Sequence, residues 1–343
     1  MPATMENRDH TLIFTGGGGR LGNQLINYAN LISFSLEYPD FDVKNLSFSS
    51  YVSEYGNHSL YRSPLASTPL QRPWDVLAKL AECEISVVSS IPYFPSKWLR
   101  WEPIHRAASY RSDAQSIIGS LTHGKFALTE LSCDRYEQFD LTATENITRL
   151  RSRPVSVIAG WGVRAWPLVN KHKAKLRSLL QPGESHRAVA DQFVESLRDK
   201  YDVLVGALVR QGDYRNWSGG QYFFQSSEYR DLLKKFVSRF PNKDVGILLA
   251  SDEQQPESVF DDDQFIFTTG IAGRDGHYVE SFTELSLCDV VVTPPSTFSV
   301  FAAFLGDIPV VPLHNDTNGE NWEWLESPLI DSVNHSEMKT SVK

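Results

Sequence analysis

Short apolar runs that alternate with amphipathic helical segments are the feature that most constrains the fold of this chain. The pattern is clearest after residue 183. It predicts helices over Glu184–Asp199, Ser226–Phe240 (capped by Ser226 or Ser227), Glu280–Cys288 and Thr297–Leu305, and strands over Val203–Val209, Val245–Ala250, Val290–Thr293 and Pro309–Val311. Because parallel strands need a crossover helix between them, this half predicts a doubly wound parallel sheet.

The first half shows the same alternation less regularly. It predicts strands over Leu12–Thr15, Leu46–Phe48, Ile85–Val88, Phe126–Leu131 and Val155–Trp161, and helices over Asn23–Glu37, Trp74–Glu82 and Asn170–Leu180, with an insertion rich in Pro and aromatics at Ile91–Pro103. A chain of 343 residues exceeds one ordinary core. We therefore predict two α/β domains, 1–180 and 181–335, with a loose polar tail at 336–343 and ligands near the carboxyl ends of strands, in a cleft between the domains.

Composition excludes several classes of function. A net charge of −9 argues against nucleic acid as a partner. The three cysteines form no CxxC pair, and no spacing of histidine, cysteine and acids matches a metal site, so we predict neither a disulfide framework nor a bound metal; the histidines that stand isolated along the sequence are His172, His186, His277 and His314. The polar first ten residues and the short apolar runs predict a cytoplasmic protein without a transmembrane segment. Peripheral membrane association and the oligomeric state stay open.

A glycine-rich turn between the first predicted strand and helix contains Gly17-x-Gly19-x-x-Gly22. Glycine allows positive φ and lets a ligand approach the amides at a helix N-terminus. The spacing matches the dinucleotide fingerprint, but the amide side chains of Asn23 and Gln24 that follow suit a hydroxyl-rich ligand better. A tight strand-to-helix turn without any ligand contact is the alternative.

Arg210 stands at the carboxyl end of a predicted buried strand and is followed by Asp213. The planar guanidinium donates paired hydrogen bonds, which suits a diphosphate, and Asp213 could orient it. A surface ion pair without function is the alternative.

Two further strand ends carry polar residues. Asp252 and Glu253 follow one strand and suit either a nucleoside contact or a helix cap. Ser296 and Thr297 follow another strand and begin a helix, where hydroxyls and unpaired amides offer an anion site, with simple capping as the alternative.

Together, the segments Gly18–Ala29 (GGRLGNQLINYA), Arg210–Tyr214 (RQGDY), Ser251–Glu253 (SDE) and Ser296–Ser299 (STFS) resemble the α-1,2-fucosyltransferases of glycosyltransferase family 11. That family belongs with the α-1,6- and protein O-fucosyltransferases. The resemblance implies a GT-B fold of two Rossmann-like domains. It also implies inverting, metal-independent transfer from a GDP-sugar, GDP-fucose in the family, to a glycan acceptor, with no other cofactor.

The resemblance also implies roles for individual residues. The first domain would contact the acceptor and the second would hold the donor. The predicted catalytic residues are Arg210 and Asp213, and the predicted donor-binding residues are Gly18, Gly19, Gly22, Asn23, Gln24, Arg210, Asp252, Glu253, Ser296 and Thr297.

The chain departs from the family pattern at Leu208, Gln211 and Glu253, where the family has histidine, a second arginine and aspartate, and Val300-Phe301 replaces tandem aromatics. These departures leave the donor base open. The acceptor and the catalytic base are open as well, since Asp213 and Glu228 are the only acids near Arg210 that suit proton abstraction.

Two other functions compete with transfer. A non-catalytic nucleotide-sugar or glycan-binding protein is favoured by Leu208 and the missing base. A nicotinamide oxidoreductase would need an acid at the end of the second strand, whereas Asp40 and Asp42 precede the predicted one.

Overall fold

The computed structural model describes residues 9–15, 19–55, 128–132, 138–153, 155–159, 162–314, 322–326 and 329. The elements predicted at Trp74–Glu82 and Ile85–Val88, the insertion Ile91–Pro103 and the tail 336–343 lie outside the described residues. Two compact units are present. Residues 19–33, 50–57 and those from Ala165 onward form the second unit, and the remainder belongs to the first.

The elements before residue 180 agree with the sequence prediction only in part, because Gln138–Asp140, Thr144–Arg151 and Gly162–Arg164 were not predicted. The elements are β1 (His10–Thr15), α1 (Leu21–Glu37), β2 (Phe41–Asn45), α2 (Val52–Tyr55), β3 (Leu128–Ser132), β4 (Gln138–Asp140), α3 (Thr144–Arg151), β5 (Val155–Ala159), β6 (Gly162–Arg164), α4 (Trp166–Lys171) and α5 (Lys173–Leu179). In the first unit the strands pair in parallel in the order β2-β1-β5-β3, and β4 pairs with β6.

The second strand differs from the sequence prediction. The segment predicted as a strand at Leu46–Phe48 belongs to a 3₁₀ turn, Leu46–Tyr51, and the strand is Phe41–Asn45. Phe41 and Val43 are buried and alternate with Asp42 and Lys44, which form an ion pair at 3.0 Å. Because Asp42 and Lys44 are charged, this period-two pattern was not recognised as a strand from the sequence. Asp42 therefore lies within β2, and the acid that a nicotinamide enzyme needs at the strand's end is absent, because Asn45 stands there.

The helix predicted at Asn170–Leu180 is also different. Two short helices, α4 and α5, meet at His172, where φ is −102° and ψ is 12°. Lys171, Lys173 and Lys175 lie on the exposed side of the segment, as the sequence indicated, whereas Arg177 is largely buried and donates to the carbonyl of Phe304.

The second unit contains a doubly wound parallel sheet. Its elements are α6 (Glu184–Arg198), β7 (Val203–Val209), α7 (Ser226–Val237), β8 (Val245–Ser251), β9 (Phe265–Phe267), α8 (Tyr278–Ser286), β10 (Val290–Thr293), α9 (Thr297–Gly306) and β11 (Val310–Pro312). The strands are parallel in the order β11-β10-β7-β8-β9. The chain winds outward from β7 through β8 to β9 and then returns to β10 beside β7. The strand order therefore reverses between β7 and β10.

Both faces of this sheet are covered. Val205 and Ile247 face a core that includes Phe236 of α7, while Leu204 faces a second cluster that includes Leu197 of α6. Burial on both faces explains why β7 is an almost continuous apolar run rather than an alternating one.

Among the described residues no helix combines the length and the apolar character needed to cross a membrane.

Candidate functional site

The candidate site lies in the second unit, at the carboxyl ends of β7 and β10. In open α/β sheets, ligands bind outside the carboxyl ends of the strands where the strand order reverses. Arg210 follows β7 directly, and Ser296 and Thr297 follow β10 at the start of α9. The fold therefore places two of the sequence motifs on either side of the reversal point.

Arg210 is held by two carboxylates. Its Nη1 lies 2.9 Å from Oδ2 of Asp252, and its Nη2 donates to Oδ1 of Asp213. The Arg210 side chain is 14% exposed, whereas that of Asp213 is 55% exposed. The Nε–H of Arg210 is buried, and no residue in the described part of the chain accepts a hydrogen bond from it. An anion could bind remaining N–H donors of this guanidinium or replace a carboxylate, and the exposed Asp213 is the easier one to displace.

Asp252 is the fixed partner. The backbone N–H of Gln211 donates to its Oδ1 at 3.0 Å, so both carboxylate oxygens are bonded to the segment that follows β7. A Cβ on Gly212 would lie 2.8 Å from Oδ2 of Asp252, which explains why glycine stands at that position. Asp252 thus orients Arg210 and does not cap a helix.

Tyr214 joins the two halves of the site. Its hydroxyl donates to the carbonyl of Pro295, and the Arg210 guanidinium lies 4.8 Å from its ring centroid. Burial raises the pKa of the Tyr214 hydroxyl to about 12, although Arg210 acts in the opposite direction. Tyr214 therefore remains a neutral donor at physiological pH. Sequence reasoning missed this residue, although an aromatic four positions after Arg210 was a usable signal.

The N-terminus of α9 retains the features of an anion site. Ser296 is the N-cap residue, but its side chain makes no capping hydrogen bond. The amides of the first turn of a helix lack intrahelical partners and carry the positive end of the helix dipole. Simple capping by Ser296 is therefore not what this side chain does.

The glycine-rich segment meets the same helix. A Cβ on Gly22 would lie 2.5 Å from the backbone of both Thr297 and Phe298, so the close approach of α1 to the start of α9 requires glycine. Gly19 has φ of +84°, and the side chain of Asn23 occupies the space that a Cβ there would need. Packing and turn geometry thus account for Gly22 and Gly19.

The side chains of Asn23 and Gln24 follow the glycines of that segment. Gln24 is buried, and Asn23 is half-buried. Gly18, which the sequence analysis assigned to donor binding, and Gly17 lie outside the described residues.

Glu253 points to a different partner. It forms a bidentate ion pair with Arg215, with distances of 2.7 and 2.8 Å. The hydrogen bonds from Arg215 lower the pKa of the Glu253 carboxyl. Of the two adjacent acids, only Asp252 contacts Arg210.

The positions that depart from the family pattern are structural in this chain. Leu208 is buried in β7. Gln211 donates to the carbonyl of Phe224 and accepts from Gln255, both at 3.0 Å. Gln255 also accepts from the hydroxyl of Ser226 at 2.8 Å. Buried amides therefore tie the segment after β7 to the segment after β8.

The predicted capping of α7 by Ser226 or Ser227 is wrong. Gln225 is the N-cap residue, and its N–H donates to Oε2 of Glu228 at 2.6 Å, which completes a capping box. The Glu228 side chain thereby caps the N-terminus of α7, which makes it a poor candidate for proton abstraction.

Comparison with known proteins supports the fold. No protein-family model and no curated protein matches the chain. A mutant of FUT1 from Arabidopsis thaliana in complex with GDP aligns with a TM-score of 0.50 at 12% identity, over 93% of this chain and 75% of that one. NodZ α-1,6-fucosyltransferase from Bradyrhizobium, soaked with GDP-fucose, aligns with a TM-score of 0.47 at 14% identity, over 92% of this chain and 99% of that one. POFUT1 in complex with GDP-fucose aligns with a TM-score of 0.45 at 10% identity, over 89% of this chain and 96% of that one. The α/β fold of this chain is of the GT-B type, as the sequence predicted.

Proposed function

We propose that this protein is an inverting, metal-independent glycosyltransferase that transfers fucose from GDP-fucose to a hydroxyl of a glycan. The observation that carries the proposal is the position of Arg210 beside the start of α9 at the strand-order reversal. A guanidinium and a helix N-terminus together can hold a diphosphate without a metal. The GDP complexes of proteins with a similar fold support the donor class.

The chemistry follows from charge. The acceptor hydroxyl attacks the anomeric carbon from the side opposite the nucleotide, and the bond between that carbon and the diphosphate oxygen breaks. Negative charge then grows on the diphosphate, where Arg210 and the α9 amides stabilise it. The acceptor proton passes to a carboxylate, for which we propose Asp213, because it is exposed and leaves Arg210 when the diphosphate arrives.

The donor contacts form two groups. We assign the diphosphate to Arg210, Ser296 and Thr297, and the orientation of Arg210 to Asp252. Gly18, Gly19, Asn23 and Gln24 remain proposed donor contacts, while Gly22 supports the site through packing, and Glu253 has the weakest support because Arg215 engages it. Residues 181–335 form the proposed donor side and residues 1–180 the acceptor side, in a cytoplasmic protein.

A binding protein without turnover is the second candidate. The pairing of Arg210 with both Asp213 and Asp252, and leucine at position 208, favour it. Such a protein would bind GDP-fucose as a transferase does and differ only in failing to release GDP in the presence of an acceptor.

The test combines thermal melts with product analysis. GDP and GDP-fucose should raise the melting temperature, whereas NAD should not. At 100 times its dissociation constant, a ligand adds about 2.7 kcal/mol to the free energy of unfolding. Stabilisation by NAD alone would refute the transferase proposal, and a preference for UDP or dTDP would change the donor. GDP release with a glycan acceptor separates the enzyme from the binding protein.

A further inference from the structure

Three residues that are far apart in the sequence meet in the second unit. Glu54 of α2, His186 of α6 and His277 before α8 offer one ligand atom each, all within 4.8 Å of one another. We call this group the Glu54 cluster. It shares no residue with the Arg210 site. Both histidines stand isolated in the sequence, but in the structure their rings stack with centroids 4.7 Å apart.

The distances in the cluster match shared coordination. Oε2 of Glu54 lies 2.9 Å from Nε2 of His186 and 3.9 Å from Nε2 of His277. Ligands of a tetrahedral zinc ion, each about 2.0–2.1 Å from the metal, are about 3.3 Å from one another. The two observed separations lie on either side of that value, and all three ligand atoms lie within 4.8 Å of one another, so coordination of one ion requires side-chain rotations that bring them to that spacing.

Glu280 prepares His186 for this role. Its Oε1 lies 3.4 Å from Nδ1 of His186, the ring nitrogen opposite the one that faces Glu54. Nε2 of His186 donates to the Glu54 carboxylate at 2.9 Å, so an ion must displace that proton; a proton on Nδ1 donated to Glu280 then leaves the lone pair of Nε2 for the metal. Metal-bound histidines almost always donate their second ring N–H to a carboxylate, a carbonyl or a water in this way.

The backbone holds the cluster members in place. The N–H of Gly183 donates to the carbonyl of Glu54 at 2.7 Å, which ties α2 to the start of α6. Glu280 accepts from the N–H of His277 at 3.1 Å and from the hydroxyl of Thr269 at 3.3 Å. The side chains are accessible, with His277 37% and Glu54 24% exposed.

Two contacts must change when an ion binds, the hydrogen bond between Nε2 of His186 and Glu54 and a bond made by His277. Nδ1 of His277 accepts a hydrogen bond from the N–H of Val279 at 3.3 Å. Binding through Nε2 puts the proton on Nδ1 and ends this bond. At that length the bond is weak, so the metal competes with little at His277.

We propose that the Glu54 cluster is a binding site for a divalent transition-metal ion, zinc, with Glu54, His186 and His277 as ligands and water in the fourth position. One carboxylate and two imidazoles are a set that zinc accepts, whereas magnesium prefers oxygen ligands. The ion links α2, α6 and α8, and it stabilises the fold of the second unit without taking part in sugar transfer.

The experiment measures zinc binding to the full chain after removal of metal by a chelator. Isothermal titration with zinc, with magnesium as the comparison ion, gives affinity and stoichiometry, and cobalt binding gives a visible spectrum that reports tetrahedral geometry. His277→Asn is the main variant, because asparagine is also a good N-cap and preserves the start of α8. His172→Asn in the same unit is the matched control.

We expect one zinc per chain and no magnesium binding. His277→Asn and Glu54→Gln should weaken zinc binding by about 100-fold or more, and Glu280→Gln by about 10–100-fold, as outer partners of metal ligands do. His172→Asn should bind as the original chain does. Circular dichroism identifies any variant that fails to fold, and the zinc affinities of the folded variants then decide whether the proposal holds. The proposal would be overturned if the original chain did not bind zinc, or if His277→Asn and Glu54→Gln bound zinc as tightly as the original chain does.

Discussion

Replacement of Arg210 by lysine is the sharpest test of the proposed mechanism. Lysine keeps the positive charge but cannot donate paired hydrogen bonds from a planar fork. One charge-assisted hydrogen bond is worth about 1.5–3 kcal/mol, and about 2.7 kcal/mol corresponds to a 100-fold change in rate. Because the charge on the diphosphate grows as the glycosidic bond breaks, the transition state should lose more than the bound donor does. We therefore expect the transfer rate to fall by about 100-fold or more.

The stability of this variant should change little. A lysine at position 210 can keep one ion pair with Asp252, which lies 2.9 Å from Arg210 and is anchored by the N–H of Gln211. We expect a loss of about 1 kcal/mol in the free energy of unfolding, the value of a single ordinary hydrogen bond.

The assay is single-turnover transfer at saturating donor, with a thermal melt of each variant. Arg198→Lys is the matched control, since Arg198 at the end of α6 also pairs with an aspartate, Asp289, which directly precedes the amino end of β10 rather than following its carboxyl end. A folded Arg210→Lys protein with nearly the original rate would refute the role of Arg210. An unfolded one would show that Arg210 anchors the structure instead.

Four further predictions test other parts of the protein. Asp213→Asn should lower transfer by about 10²–10⁴-fold if it takes the acceptor proton, with GDP binding unchanged or tighter in melts; an unchanged rate would remove it from catalysis. Chelator should leave the transfer rate unchanged, and a loss restored by manganese would contradict metal-independent transfer. Gly22→Ala should cost about 1–3 kcal/mol in urea denaturation, because the added Cβ meets backbone rather than a movable side chain. Burial raises the pKa of Glu284 from 4.5 to about 7, so its contribution to stability is complete below pH 4.5 and is lost as pH rises through 7. Glu284→Gln should flatten that pH profile of stability, by at most about 3 kcal/mol, and an unchanged slope would contradict the assignment.

The sequence determined the sheet of the second unit and the strand ends that carry its site. The predicted bounds of Val203–Val209 and Val290–Thr293 agree with β7 and β10, because strands buried on both faces give continuous apolar runs that need no tertiary information to recognise. Arg210 follows the first run directly and Ser296 follows the second after two prolines, so their positions at the carboxyl ends of parallel strands were available from the chain order. The three-residue strands β4, β6 and β9 were missed because they are too short to give a clear pattern, and β2 was missed because Asp42 and Lys44 interrupt its apolar residues.

Tertiary structure decided which residues meet. That Gly22 packs against Thr297, that Asp252 rather than Glu253 holds Arg210, and that Glu54 joins His186 and His277 all depend on contacts between segments distant in the chain. Local pattern records the burial and period of one element, whereas these pairings depend on the strand order and on the direction of each side chain. A carboxylate and two imidazoles separated by many residues carry no local signature, and only the packing of α2, α6 and α8 brings them within coordinating distance.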